Sequence, residues 1–234
     1  MIARLRTAVF LVVFFIGSIP VVLAAPVAAI FGQAALKVAV LRWVRYHAWC
    51  ARVLLGIATR IEGAPSATPA LYAAKHQALY ETFELMRILD GPVVVMRREF
   101  ARIPVWGWSA RRFGLIIIDR EGSAAAMRQM MREAAAARAA GRSVLIFPEG
   151  TRVTPGETPP VKPGLAGLYR AIGLQTVPIA LDSALRWPRK GPMTAGPVRM
   201  VFGEPIPPGL KRAEIEARIH AGINRLEAPP TGAQ

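Results

Sequence analysis

The sequence predicts an α/β protein: a mixed, largely buried sheet flanked by helices, preceded by a hydrophobic, membrane-anchoring helical segment. Short apolar runs alternate with helical patterns from about residue 60 onward, which is typical of a sheet covered by helices. Residues 7–31 contain no charged side chain, which indicates the anchor. A chain of 234 residues holds one domain or at most two, and no repeat or linker divides it.

The N-terminal stretch is apolar but is interrupted by Pro20 and Pro26. Because proline ends or kinks a helix, an uninterrupted helix over 7–19 reaches only ~20 Å, which is less than the ~30 Å hydrocarbon core of a bilayer. We therefore expect a bent hairpin that dips into one leaflet, or a single kinked span. Basic residues on both flanks favour two cytoplasmic ends; they are Arg4, Arg6, Lys37, Arg42 and Arg45.

The same stretch also has features of a secretory signal. Arg4 and Arg6 precede its apolar core, and the small residues Ala24 and Ala25 follow. A retained anchor is the favoured interpretation, and a cleaved signal is the alternative.

The next stretch, residues 34–61, mixes apolar residues with arginines. Apolar residues recur at helical spacing, at Leu36, Val40, Trp43 and Val44. This pattern predicts an amphipathic helix whose arginines extend toward lipid phosphates. We therefore assign residues 1–60 to a membrane-associating segment, and we interpret His47, which has no acidic neighbour in sequence, as structural or interfacial.

Composition limits the function classes. The hydrophobic fraction is 53% and the mean hydropathy +0.33, while 30 Lys and Arg oppose 15 Asp and Glu, giving a net charge of +15. A basic and apolar chain points to an anionic membrane surface before nucleic acid, and no recognised nucleic-acid-binding module is visible. The single Cys50 excludes an internal disulfide, and no zinc pattern occurs. We expect no metal and no cofactor.

Strands and helices alternate beyond residue 60. The predicted strands cover 70–74, 92–96, 115–118, 143–147, 176–181 and 198–202. The predicted helices cover 81–89, 103–113, 124–140 and 211–226. Residues 61–227 are therefore assigned to one catalytic domain, and residues 228–234 to a disordered tail.

His76 and Glu81 are the first candidates for chemistry. His76 follows a strand and Glu81 opens a helix. Residues five apart do not share a face of one helix, but they meet if His76 stays on the loop and the chain turns into the helix near Tyr80. The carboxylate then accepts the Nδ1 proton and leaves Nε2 free as a base. On spacing alone, a satisfied loop histidine is the commoner outcome.

The segment FPEGTR, residues 147–152, follows the most β-like run of the chain, where α/β proteins bind ligands. Gly150 permits close backbone approach, Thr151 supplies a hydroxyl and an N–H group, and Arg152 offers a fork for phosphate. A plain surface turn is the alternative. Arg120, at the end of GLIIIDR, can face the same crevice, although such a residue is commonly part of a surface ion pair.

Four segments, taken in order, resemble the four blocks of the glycerolipid acyltransferase family, and especially its bacterial 1-acyl-sn-glycerol-3-phosphate (lysophosphatidic acid) acyltransferases. They are KHQALYE, GLIIIDR, FPEGTR and VPIAL. The resemblance spans roughly residues 71–181 and implies the glycerolipid acyltransferase fold. In that family the first block is H-x4-D, so the match implies a general base at His76 and an orienting carboxylate at Glu81. Glutamate at this position departs from the family pattern, but its longer side chain can still reach Nδ1.

The resemblance also implies substrate contacts. It places the glycerol-phosphate contacts at Arg120, Glu149, Gly150, Thr151 and Arg152. Pro178, with Val177, matches the block thought to line the acyl thioester side. Arg97 stands where such enzymes often have lysine, and His220 matches no block and is interpreted as structural.

The implied function is transfer of a fatty acyl group from acyl-CoA or acyl-carrier protein to the sn-2 hydroxyl of lysophosphatidic acid, giving phosphatidic acid for phospholipid biosynthesis. These substrates meet at the cytoplasmic face of the inner membrane, which favours the retained anchor. Two alternatives stay open: an acyltransferase for another lyso-lipid such as lyso-ornithine lipid, and a non-catalytic, basic lipid-binding protein.

Overall fold

The computed structural model describes residues 1–118 and 124–227. Within this part of the chain, seven strands form one mixed sheet in the order β1-β7-β6-β2-β5-β3-β4. The strands are β1 Ile57–Glu62, β2 Leu71–Ala74, β3 Val93–Arg97, β4 Ile116–Ile118, β5 Val144–Ile146, β6 Thr176–Leu181 and β7 Gly196–Phe202. The predicted mixed sheet is confirmed.

Strand direction brings the carboxyl ends of five strands to one edge of the sheet. β2 is parallel to β5 and β6, and β3 is parallel to β5 and β4. β7 runs antiparallel to β6, and the edge strand β1 is parallel to β7. Ligands of open α/β sheets bind beyond the carboxyl ends of parallel strands. The loops that follow β2, β3, β5 and β6 therefore define the candidate site.

Helices cover both faces of the sheet. On one face lie α1 Ile2–Ile30, α2 Gln33–Cys50, α3 Tyr80–Ile88 and α4 Trp106–Phe113; on the other lie α5 Ala124–Ala139, α6 Gly164–Ile172 and α7 Arg212–Ile223. Successive side chains of a strand point to opposite faces. Accordingly, Tyr72 and Ala74 of β2 belong to the core beneath α1–α3, and Leu71 and Ala73 belong to the core beneath α5–α7.

Helix α1 continues through both prolines, so the expectation of a hairpin there is wrong and a single helix forms instead. It has 29 residues and is therefore about 43 Å long. Proline removes a main-chain hydrogen bond, but α2 supplies contacts that stabilise the helix. Trp43 Nε1 donates to Ser18 Oγ at 2.9 Å, and the Tyr46 hydroxyl donates to the Val13 carbonyl at 2.7 Å.

The predicted helix over 34–61 is too long at its C-terminal end. After α2 the chain makes one wide π-type turn, Ala51–Leu55, and Gly56 then adopts a φ of 73°. This left-handed conformation ends the helix. The chain continues as β1, which pairs with β7 along its full length. A domain boundary at residue 60 therefore falls inside a strand.

The strands and helices predicted beyond residue 70 are present, with ends that differ by a few residues. Helix α6 is an addition, because no helix is predicted over 164–172. Gly164 and Gly167 weaken its helical pattern, and its apolar face is nevertheless buried against α5.

Candidate active site

His76 lies in the loop after β2, and Glu81 lies in the first turn of α3. His76 Nδ1 and Glu81 Oε1 are 2.9 Å apart. The same oxygen accepts hydrogen bonds from the backbone N–H groups of Gln77 and Ala78, both at 2.7 Å. The loop is thus wrapped around the Glu81 carboxylate, which explains how two residues five apart come together.

Ser183 fixes the second oxygen of the same carboxylate. Its hydroxyl donates to Glu81 Oε2 at 2.7 Å, and both side chains are buried. Nothing in the sequence singles out Ser183 except its place just beyond the carboxyl end of β6. With four donors around it, the carboxylate is held in one orientation.

The His76 ring is half enclosed. The carboxylate at Nδ1 selects the tautomer that carries its proton there, so Nε2 has a free lone pair. Among the described residues Nε2 has no hydrogen-bond partner, and the side chain is 20% exposed. Phe147 stacks on the ring with centroids 4.1 Å apart. The ring is therefore positioned with one nitrogen available as a base.

A cationic turn adjoins the base. Gly150 has a φ of 69°, and its carbonyl accepts a hydrogen bond from the Arg97 guanidinium at 2.5 Å. Thr151 and Arg152 are exposed. The exposed Lys162 lies over Gly150, with its Cγ 3.5 Å from the position that a Cβ on this glycine would occupy. Lys162 is not among the predicted site residues. It is twelve positions from Gly150 in sequence, and only the folded chain brings the two together.

The other predicted acceptor contact, Arg120, lies outside the described residues.

Glu149 is placed differently from the expectation. Its side chain is fully buried, its Oε2 accepts the His76 backbone N–H at 2.9 Å, and its Oε1 lies 3.0 Å from Lys75 Nζ. Burial raises the pKa of Glu149, and the His76 N–H group and Lys75 oppose that shift. A sealed carboxylate cannot contact an acceptor, so we remove Glu149 from that set. It supports the loop that carries His76, the candidate base.

Pro178 is also removed from the set of substrate contacts. It lies buried in β6, and its ring packs against Gly203 and Gly222, on the sheet face covered by α7. A Cβ placed on Gly222 would lie 2.6 Å from the Pro178 Cβ, which leaves no room there for an acyl chain. Val177 points to the opposite face and is 1% exposed in the core.

The other two histidines lie away from the base. His47 is buried in α2 among aromatic rings, and burial lowers its pKa to about 3. His220 Nε2 lies 3.0 Å from the Thr158 carbonyl oxygen. These contacts are structural, as expected for both.

The geometry fits proton removal from a hydroxyl beside an anionic group. The base and the cationic turn follow adjacent parallel strands, and the Val153 N–H donates to the His76 carbonyl at 2.7 Å. Cys50, the only thiol, is buried in α2. The arrangement therefore favours direct attack by an activated hydroxyl.

Comparison with known proteins gives consistent results. The Acyltransferase family model matches residues 57–182, more than half of the chain. The 1-acyl-sn-glycerol-3-phosphate acyltransferase of Pseudomonas aeruginosa is 31% identical over 174 residues, covering 73% of this chain and 68% of that protein. The 1-acyl-sn-glycerol-3-phosphate acyltransferase alpha of Bos taurus is 29% identical over 203 residues, covering 84% and 70%.

A solved structure shares the fold. The crystal structure of the 1-acyl-sn-glycerophosphate (LPA) acyltransferase PlsC from Thermotoga maritima matches with a TM-score of 0.72 and 19% identity, over 98% of this chain and 100% of that one. At this identity the match supports the fold alone. The family match and the sequence relatives go further: this chain belongs to the acyltransferase family and is an acyltransferase enzyme.

Proposed function

We propose that this enzyme acylates the sn-2 hydroxyl of 1-acyl-sn-glycerol-3-phosphate, with acyl-CoA or acyl-carrier protein as donor. The observation that carries the proposal is the His76–Glu81 pair in a loop that is hydrogen-bonded, through the His76 carbonyl and the Val153 N–H, to the segment carrying an exposed cationic turn at one edge of the sheet. The names of the curated relatives support the same acceptor. The product is phosphatidic acid.

In the proposed step, His76 Nε2 takes the proton of the acceptor hydroxyl while that oxygen attacks the thioester carbonyl. A C–O bond forms, and the tetrahedral intermediate then collapses with cleavage of the C–S bond. The leaving thiolate takes the proton from the imidazolium, which regenerates the base. Glu81 stabilises the imidazolium through the 2.9 Å contact with Nδ1.

Acceptor recognition is assigned to the cations around Gly150. A phosphomonoester is a dianion near neutral pH, and arginine guanidinium groups bind it in bidentate fashion. Among the described residues, Arg97, Arg152 and Lys162 offer this charge without a buried partner carboxylate. Holding the phosphate there orients the neighbouring hydroxyl toward His76.

We further propose that the enzyme lies on the cytoplasmic face of the inner membrane, with α1 in the plane of the interface. By length and composition, helix α1 is long and apolar enough to span a bilayer. Contacts with the globular part hold it near both ends: Thr7 Oγ1 accepts the Met193 N–H at 2.9 Å, and Gln33, just beyond α1, donates to the Arg112 carbonyl at 2.6 Å. Because both ends of α1 are held against the globular part, the helix cannot cross the bilayer while that part stays outside.

The outward side of α1 is a continuous apolar stripe, which we propose enters the lipid. Its exposed residues are Leu5, Val9, Val12, Phe15, Ile16, Ile19, Leu23, Val27 and Ile30. Arg42 and Arg45 on α2, the helix that packs against α1, are also exposed. Apolar insertion combined with arginine contacts to phosphates is the pattern of an interfacial helix on an anionic membrane.

A substrate panel tests the function. Purified enzyme is assayed with lysophosphatidic acid, a lyso-ornithine lipid and a neutral monoacylglycerol, each with acyl-CoA and with acyl-carrier protein, and His76→Ala serves as the control. We expect rapid transfer to lysophosphatidic acid alone, and a loss of about 10²–10⁴-fold in the control. Preference for a phosphate-free acceptor would contradict the proposal.

A further inference from the structure

Lys75, the residue before the candidate base, is completely buried. Its ammonium lies 2.6 Å from the Glu157 carbonyl oxygen, 2.6 Å from Asn224 Oδ1 and 3.0 Å from Glu149 Oε1. Glu227 Oε1 is 3.5 Å away. Two hydrogen bonds and one ion pair thus tie the ammonium to the loop after β5 and to the turn after α7.

Glu149 connects this ammonium to the base. One carboxylate oxygen faces Lys75 as an ion pair, and the other accepts the backbone N–H of His76 at 2.9 Å. Glu149 also directly precedes Gly150 in the cationic turn. One buried pair therefore links the base to the turn assigned to the acceptor.

Glu227, in the turn after α7, completes the same cluster. Glu227 Oε1 accepts from Gln77 Nε2 at 2.8 Å, and Glu227 Oε2 accepts the Gly156 N–H at 2.6 Å. Gln77 is the residue whose backbone binds Glu81. The turn after α7 thus holds the base loop and the segment after β5 together.

A buried ion pair is weak evidence for stability, because apolar side chains of similar volume are often as stabilising. The four groups around the sealed ammonium come from the segment after β5 and the turn after α7, so the ammonium ties both segments to the loop that carries His76. The cluster is therefore better explained by geometry than by stability.

We infer that Lys75 is a positioning residue, which fixes His76 relative to the turn at Gly150–Arg152 and makes the turn at Asn224–Glu227 part of the active-site support. The inference rests on the proposed function for its kinetic consequences but not for its structural ones. A displacement of about 1 Å between base and acceptor can lower turnover about 10²-fold.

Two variants separate positioning from charge balance. Lys75→Met keeps most of the side-chain volume and removes the charge, and it leaves Glu149 buried without a counter-ion. Lys75→Met/Glu149→Gln removes both charges, while the amide oxygen can still accept the His76 N–H. Arg218→Met, which breaks an exposed pair with Glu214 on α7, is the matched control.

We expect Lys75→Met to lower kcat about 10²-fold, to raise the acceptor KM and to leave the donor KM within about twofold. The double variant should regain thermal stability but not kcat, and the control should match the parent enzyme. If kcat returns together with the melting temperature in the double variant, Lys75 only balances charge and the inference fails. Near-normal kcat in Lys75→Met would overturn it as well. If the single variant does not fold, the double variant alone decides.

A readout without turnover keeps the two proposals distinguishable. The chain has three histidines, so their ¹⁵N-labelled ring resonances can be assigned by substitution. In the double variant we expect the His76 ring signals to move while those of His47, which lies in α2 among aromatic rings and contacts none of the Lys75 partners named above, stay in place. Unchanged His76 signals would refute the positioning role even if the enzyme uses another acceptor, and a parent enzyme inactive toward lysophosphatidic acid would refute only the proposed function.

Discussion

Replacing Glu81 by glutamine tests the charge opposite the base with little change of shape. The amide oxygen can still accept the two loop N–H groups that now meet Oε1 at 2.7 Å. What is lost is the negative charge that faces the imidazolium formed when His76 accepts a proton. A hydrogen bond to a charged group contributes about 1.5–3 kcal/mol, which corresponds to about 10- to 150-fold in kcat. Because Glu81 is completely buried and the contact is 2.9 Å, solvent screens it little, and we expect about 100-fold.

Three comparison variants make this prediction sharp. Glu81→Asp keeps the charge but shortens the side chain by one methylene, so it should retain more activity than Gln. Ser183→Ala removes one neutral donor to the carboxylate, at 2.7 Å, and should lower kcat by about tenfold or less. His76→Ala gives the residual activity without the candidate base, against which the other variants are compared. Initial rates with saturating substrates measure all four. If glutamine is as active as aspartate, the charge at position 81 does not matter and the assigned role is wrong.

Further predictions concern the acceptor, acid stability and the membrane. Arg152→Ala should raise the acceptor KM and lower kcat, with partial rescue by lysine, because a loosely held acceptor meets the base less often; an equal loss with a phosphate-free acceptor would mean a structural role. His47 has a folded-state pKa of about 3 against 6.5 in the unfolded chain, so stability falls as pH drops below 6.5. The loss is about 1.4 kcal/mol at pH 5.5, and His47→Phe should remove it in thermal scans at pH 7.5 and 5.5, whereas an unchanged pH slope would count against a buried neutral imidazole. Ile16→Glu/Leu23→Glu, on the exposed side of α1, should abolish flotation with anionic vesicles; retained flotation would exclude the stripe as the lipid contact.

Local sequence signals predicted most of the sheet and the contact between His76 and Glu81. Strands such as β2 and β6 are short, apolar and bounded by turns, so periodicity and length identify them. His76 and Glu81 are close in sequence, and one loop brings them together. Features fixed within a few residues can be read from the sequence alone.

The support of the site could not be predicted, because it depends on distant residues. Ser183 lies 102 positions from Glu81, and Asn224 lies 149 positions from Lys75. No spacing rule links such pairs; only the sheet order and the packing of α7 do. The edge strand β1 is missed for a related reason. Its alternating pattern directly continues a helical one, and only pairing with β7 distinguishes the two.

Helix α1 carries the apolar stripe proposed to enter the lipid, and it also contacts the support of the candidate active site. Trp187 follows the turn at Ser183 that binds Glu81, and its ring lies 5.1 Å from the ring of Phe10 in α1. Phe10 is 1% exposed, and its ring also contacts the ring of His47. Neither ring nitrogen of His47 has a hydrogen-bond partner among the described residues. Deleting residues 1–31 would therefore expose these rings and leave the protein prone to aggregation rather than soluble. For that reason, substitutions on the outer stripe of α1 test membrane binding more cleanly than truncation does.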